Sequence, residues 1–162
     1  MGEPIQSTDL EGRVDIEPVS VPAVVEICEF LRDTDRAEVY ANGYDDVLDG
    51  VWTSVVQSEQ AYVVSFEGAP SFVFGVSIQN DNSGYVWAVG TDDVNKFSIL
   101  FARESRKWMN QLSEGRSYLW TRSFMGNPVH HRWLEWCGFD FVMASAQPPH
   151  GLQFKTYARP CA

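Results

Sequence analysis

The chain is poor in cysteine, poor in positive charge and free of long apolar runs. Its 3 cysteines, Cys28, Cys137 and Cys161, are odd in number and lack metal-ligand spacing, so neither a disulfide framework nor a zinc site is expected. Cys28 and Cys137 fall in apolar stretches and read as core residues, which suits a reducing compartment. Lys and Arg total 12 against 22 Asp and Glu, a formal net charge of −10. Nucleic-acid binding is driven by cations neutralising phosphates, so it is excluded as a general role. A membrane-surface role is disfavoured for the same reason. No apolar run approaches the ~20 residues that span a bilayer. The opening segment MGEPIQSTDLEGR has neither a basic region nor an apolar signal core. Met1-Gly2 begins a myristoylation pattern, but Ser7 stands one place too late for it. A non-secreted protein without a transmembrane segment is expected.

What is present is an ordinary globular balance, 44% hydrophobic and 21% charged over 162 residues, with 6 Trp and 14% aromatic. That suffices for one core. Residues 1–12 read as a flexible arm and 13–162 as a single domain. Alternating Val14 and Ile16 predict a first strand in 13–20. Pro22 starts a helix over 23–31, with Val24, Ile27, Cys28 and Leu31 on one face. An acidic, turn-rich stretch follows, with one short helix near 36–40. The spacing of Val47, Val51, Trp52 and Val55 predicts a helix over 47–57. Strands are expected at 60–66, 71–78 and 85–89, the last apolar on both sides and therefore central. A long helix over about 94–112 carries Phe97, Leu100, Phe101, Trp108 and Leu112 inward and stops at Gly115. Residues 118–122 form a strand. The segment GNPVHHRWLEWCGFDF, 126–141, then encodes a helix capped by Asn127, opened by Pro128 and closed by Gly138. Strands at 139–144 and 153–157 close the chain. The order β-α-α-β-β-β-α-β-α-β-β implies a mixed α/β sheet.

Few residues offer chemistry by spacing. Adjacent His130 and His131 point about 100° apart on a helix and cannot easily share a metal. His130 reads as a capping or packing residue. Asp45, Asp46 and Asp49 beside Asn42-Gly43 lack the ligand rhythm of a calcium loop and read as a solvated turn. No nucleophile–His pair can be assembled. Acidity is concentrated in residues 3–49, whereas the long helix carries Lys96, Arg103, Arg106 and Lys107. A charge-split surface of this kind suits docking or self-association.

Asn127, then Gly138 eleven residues later, then Phe139, resembles the last conserved segment of the GNAT acyltransferase fold. The element order agrees with that resemblance. It implies a GNAT-like α/β domain: a mixed, mostly antiparallel sheet of about six or seven strands flanked by about four helices. The helix after Asn127 would pack beside an acyl-CoA thioester. The family often places a Tyr as general acid seven residues after that Asn, where this chain has Leu134. The resemblance further implies that a glycine-rich loop after the fourth strand holds the CoA pyrophosphate on its N–H groups. This chain has Gly90, Thr91, Asp92, Asp93, Val94 and Asn95 there. Asp at a helix start caps it. At about 4 Å from a phosphate, each would also cost of order 1 kcal/mol in water and ~4 near a protein surface.

Residues 84–141 also resemble a narrower group, the GNAT-like internal virion proteins of short-tailed phages. The resemblance rests on Trp87, Val89, Thr91-Asp92-Asp93, Trp120, Gly126-Asn127, His130, Arg132, Trp133, Leu134 and Gly138. It implies a non-enzymatic phage virion or assembly protein, located in the virion or the bacterial host cytoplasm. The implied partners are other virion proteins or a second copy of itself, with no nucleic acid and no membrane. The expectation is then no catalytic residue, no metal and no cofactor. The alternative is an N-acyltransferase with an altered phosphate loop, using acetyl-CoA or another acyl donor, with Asn127 at the thioester. A further alternative is a host-directed phage effector. Filling of the cleft between the fourth and fifth strands by Trp87 and Trp120 would count against the acyltransferase.

Overall fold

The computed structural model describes residues 5 and 12–161. Seven strands form one sheet in the order β1-β2-β3-β4-β5-β7-β6. They are β1 (Val14–Pro18), β2 (Gln60–Phe66), β3 (Ala69–Ile78), β4 (Gly84–Gly90), β5 (Tyr118–Phe124), β6 (Asp140–Gln147) and β7 (Leu152–Pro160). Five helices flank it: α1 (Val21–Glu29), α2 (Asp33–Ala41), α3 (Val47–Gln57), α4 (Ser98–Leu112) and α5 (Pro128–Trp136). No helix among the described residues is long and apolar enough to cross a membrane.

The central strands are buried on both faces, which explains their nearly unbroken apolar runs. Tyr62, Val64, Phe72, Phe74, Val86 and Ala88 face a core that contains Phe101, Trp108 and Met109 of α4 and Leu134 of α5. Val63, Val73, Trp87 and Val89 face the opposite core, built on Val24 and Ile27 of α1, Val39 of α2 and Val51 of α3. Aromatic rings dominate the first core. Phe72 meets Phe101 edge-on at 4.8 Å, and Phe74 stacks on Trp108 at 5.3 Å. Each such ring removes a large apolar area from water.

One junction in the sheet differs from the rest. Every neighbouring pair is antiparallel except β4 and β5, which are parallel. That pairing consists of Gly84 with Leu119 and Tyr85 with Trp120, and then stops. Beyond it, the second halves of β4 and β5 splay apart. The backbone groups on the facing edges need partners from elsewhere, and α2 supplies them. Gly90 N–H donates to Asp35 Oδ2 at 2.8 Å, and Phe124 N–H donates to Glu38 Oε1 at 2.7 Å.

This use of α2 explains the main departure from sequence expectation. A short helix near 36–40 was expected, but α2 runs from Asp33 to Ala41. Its buried residues are Asp35, Glu38, Val39 and Ala41. A helix whose inward face is half carboxylate has no apolar stripe to read. The long helix also differs. Residues Asp92–Phe97 form a 3-10 turn capped by Thr91, and α4 proper begins at Ser98. Most of the expected N-terminal arm, 1–4 and 6–11, lies outside the described residues. Ile5 is buried in the core, and its N–H meets the Tyr62 hydroxyl at 3.4 Å.

Candidate functional site

The splay between β4 and β5 is lined by a buried polar cluster from three elements. Asp35 and Glu38 stand three residues apart on α2, hence on one face of it. Asn127 caps α5, accepting from His130 N–H at 3.3 Å. Its side-chain amide donates to Asp35 Oδ1 at 2.9 Å and reaches Glu38 Oε1 at 3.4 Å. The cap thereby fastens α5 to α2, with Asn127 fully buried. Arg32, just before α2, directs Nε and Nη2 onto Asp35 Oδ2 at 2.9 and 2.8 Å. Its backbone N–H donates to the Gly90 carbonyl at 3.0 Å.

His130 completes the cluster. Its Nδ1 lies 3.2 Å from Glu38 Oε2 and 2.9 Å from Ser123 Oγ. Glu38 Oε1 also accepts from Ser123 Oγ at 3.0 Å. Burial by itself would raise the Glu38 carboxyl. The His130 charge and the donors from His130, Phe124 and Ser123 outweigh it and hold the group below its ordinary value. Burial by itself would lower the His130 imidazole, but Glu38 outweighs it and raises the group. The other ring nitrogen, Nε2, is buried and has no hydrogen-bond partner among the described residues. Such an orphan calls for an explanation. The arrangement is not a serine triad, because Ser123 and Glu38 share one nitrogen and Ser123 is wholly buried.

His130 faces two cavities on opposite sides of the sheet. One, of about 240 Å³, lies on the α2–α3 side and is lined by Glu38, Asn42, Tyr85, Trp87, Arg122 and His130 among others. The other, of about 130 Å³, lies on the α4–α5 side between Val94, Asn95, Ser98, Phe101, Val129 and Trp133, with Arg32 and His130 at its wall. Ala88 and His130 line both. The two cavities therefore approach each other at the splay, with Ala88 and His130 between them.

The remaining loop residues fall in different places. Gly90 ends β4, and a side chain there would meet Phe72 Cδ1 at 2.9 Å and Arg32 Nη2 at 3.4 Å. Thr91 caps the 3-10 turn through its hydroxyl, 3.3 Å from Asp93 N. Asp92 and Asp93 line a separate depression with Glu26, Phe30 and Pro70, and Asp93 pairs with Lys96 at 2.9 Å. Val94 and Asn95 alone of the six border the smaller cavity. At the start of α4, Phe97 provides no side-chain cap. Arg13, Lys96 and Arg103 line a depression there.

The other readings from sequence can be placed too. Leu134 is fully buried in the core. Trp87 walls the larger cavity, donating from Nε1 to Ser58 Oγ at 2.6 Å. Trp120 lines neither cavity and packs edge-on against Tyr85 at 4.8 Å. These two rings therefore leave the cleft open. His131 Nε2–H donates to the Phe124 carbonyl at 2.9 Å, and the residue lines neither cavity. Asp46 caps α3 through Leu48 N–H at 2.9 Å. Reading His130 as a packing residue missed Glu38, which lies 92 residues away. The available signal was the carboxylate pair at 35 and 38.

No family model matches the chain, and no curated protein matches it by sequence. Solved structures do match. A GNAT-family acetyltransferase from Bacillus anthracis superposes with TM-score 0.69 at 13% identity, covering 92% of this chain and 95% of that one. An aminoglycoside acetyltransferase in complex with coenzyme A gives 0.67 at 14%, covering 91% and 94%. Spermidine N-acetyltransferase from Vibrio cholerae, in complex with CoA and spermine, gives 0.64 at 12%, covering 91% and 95%. Two of these three structures hold CoA, and none of the three is a phage virion protein. The chain has the GNAT fold.

Proposed function

We propose that the protein transfers an acyl group from a thioester donor to an amine, with the two reactants meeting at His130. The observation that carries this reading is the buried, unpartnered Nε2 of His130, a residue that lines a cavity on each side of the sheet. The residues present suit acyl-CoA. Asn95, Ser98, Val129 and Trp133 would flank its arm beside the β4 edge. The uncapped start of α4, with Lys96 and Arg103, would receive its phosphates. When bound, the donor supplies an activated acyl carbonyl.

His130 supplies the proton chemistry. In the neutral ring, Glu38 and Ser123 hold Nδ1, which leaves the Nε2 lone pair facing the amine on the α2–α3 side. Nε2 takes the proton that the amine loses as its nitrogen bonds to the acyl carbon. Glu38 stabilises the resulting imidazolium, and its effect on the ring makes His130 a stronger base than an isolated histidine. Because His130 lines the donor cavity as well, it can return that proton to the departing sulfur. One residue thus covers the role expected of a Tyr at position 134. Tyr85 stays protonated beside it, its phenol raised by burial and by Glu38.

A second reading, a scaffold acting through protein contacts, has one observation in its favour. Leu31 bridges Thr91, and Arg32 and Asp35 occupy the N–H and C=O of Gly90, so the chain itself takes the end of the β4 edge. Calorimetric titration with acetyl-CoA separates the two. Micromolar binding, with transfer to an amine panel that is lost in His130→Gln, is the expected result. Absence of binding at millimolar acetyl-CoA would leave the scaffold reading.

A further inference from the structure

The acceptor cavity holds a charge that the acyl-transfer reading leaves unused. Three of its lining residues carry ordinary acid or base groups besides tyrosine: Glu38, His130 and Arg122. The Glu38 carboxylate is saturated by Phe124 N–H, Ser123, Asn127 and His130. It offers little to an incoming cation. Arg122 is different. It lies on β5, is exposed, and its guanidinium sits 5.3 Å over the Trp120 ring. Trp120 is itself fixed edge-on by Tyr85. No carboxylate pairs with Arg122 among the described residues. In a chain with ten excess negative charges, a cation left without an acid on a cavity wall is conspicuous. Beyond about 8 Å the net charge is screened at physiological ionic strength, so the charges of the cavity wall itself, with Arg122 the one that lacks an opposite partner among the described residues, set the local field.

We infer that the acceptor is a small amino acid-like molecule, its amine directed to His130 and its carboxylate held by Arg122. This rests on the acyl-transfer reading and narrows its substrate class. A planar guanidinium stacked on an aromatic ring is well suited to a carboxylate, which it can grip through two parallel N–H bonds. Asn42, Ser54, Gln57 and Thr121 complete a polar wall for such a molecule. A polyamine, by contrast, would bring positive charge against Arg122 with no free carboxylate to receive it. The cavity of about 240 Å³ fits a molecule of amino-acid size.

The test compares matched ligands that differ by one carboxylate. Saturation-transfer NMR and calorimetry on the full chain would measure L-tyrosine against tyramine, L-tryptophan against tryptamine, and L-lysine against cadaverine. In at least one pair the amino acid should bind ten times more tightly or better. Arg122→Met should erase that preference, and Arg122→Lys should keep part of it. Amines that bind as well as the amino acids, a preference that survives Arg122→Met, or no binding in any pair would overturn the inference. Acetyl-CoA titrated into the same preparations keeps the two ideas apart. Donor binding without an Arg122-dependent preference sinks only the acceptor class. An Arg122-dependent preference without donor binding supports the pocket chemistry and sinks the transfer reading.

Discussion

The Glu38 carboxylate and the His130 imidazole are 92 residues apart in sequence and 3.2 Å apart in space. Their contact joins α2 to α5 across the splayed strands, and the other ring nitrogen is buried without a partner in a residue that lines both cavities. Two substitutions separate the roles. Glu38→Gln removes the charge that raises His130, so the imidazole should titrate at lower pH by NMR. Transfer should slow while acetyl-CoA affinity changes little. His130→Gln removes the base, and the rate should fall by roughly 10²–10⁴-fold. An unchanged His130 titration in Glu38→Gln would contradict the electrostatic account.

The same pair makes stability depend on pH in a defined window. His130 is raised above its ordinary value of 6.5. Its contribution is fully present below 6.5 and is lost as pH rises through the folded value. Glu38 is held below its ordinary 4.5. Its contribution is present above 4.5 and is lost as pH falls through the folded value. The pair therefore stabilises most between about pH 4.5 and 6.5. Urea midpoints measured across pH 3–9 should show a maximum in that window, which flattens in His130→Gln. Transfer should run the other way on the alkaline side, because the base must be neutral. Its rate should rise through the folded His130 value, above 6.5.

Asp92 and Asp93 provide a third check. Their sequence position suggested repulsion of a donor phosphate. In space they line a depression with Phe30 and Pro70, and Asp93 is paired with Lys96. An exposed pair of that kind is worth about 0–1 kcal/mol. Asp92→Ala/Asp93→Ala should therefore shift acetyl-CoA affinity by less than about fivefold. A gain of a hundredfold or more in calorimetry would restore the repulsive role.

Much of the fold is legible in the chain, because most elements have one apolar face or two. β2 and α3 occur at their expected bounds, since Tyr62, Val63 and Val64 form an apolar run and Val47 and Val51 recur at helical spacing. The site is less legible for a physical reason. Its members are polar residues turned inward, and spacing alone reads Asp35 and Glu38 as a solvated face. Only the end of the β4–β5 pairing, with its unsatisfied N–H groups, explains why carboxylates belong in the core. Asn127 was legible as a cap. That its amide also serves Asp35 depends on contacts 92 residues away.

Leu134 tests whether the proton chemistry rests on His130. The position is fully buried, in the same core as Phe72, Phe101 and Trp108. Tyrosine there would add a ring and a hydroxyl to a filled space. Overpacking costs typically about 1–3 kcal/mol, and a buried hydroxyl without a partner adds about 1–3 more. Leu134→Tyr should therefore lower the urea midpoint clearly and should not restore transfer to His130→Gln. The double variant decides the matter. If tyrosine at 134 rescued the rate without His130, the proton donor would lie on the buried face of α5, and the orphaned imidazole nitrogen would need another explanation.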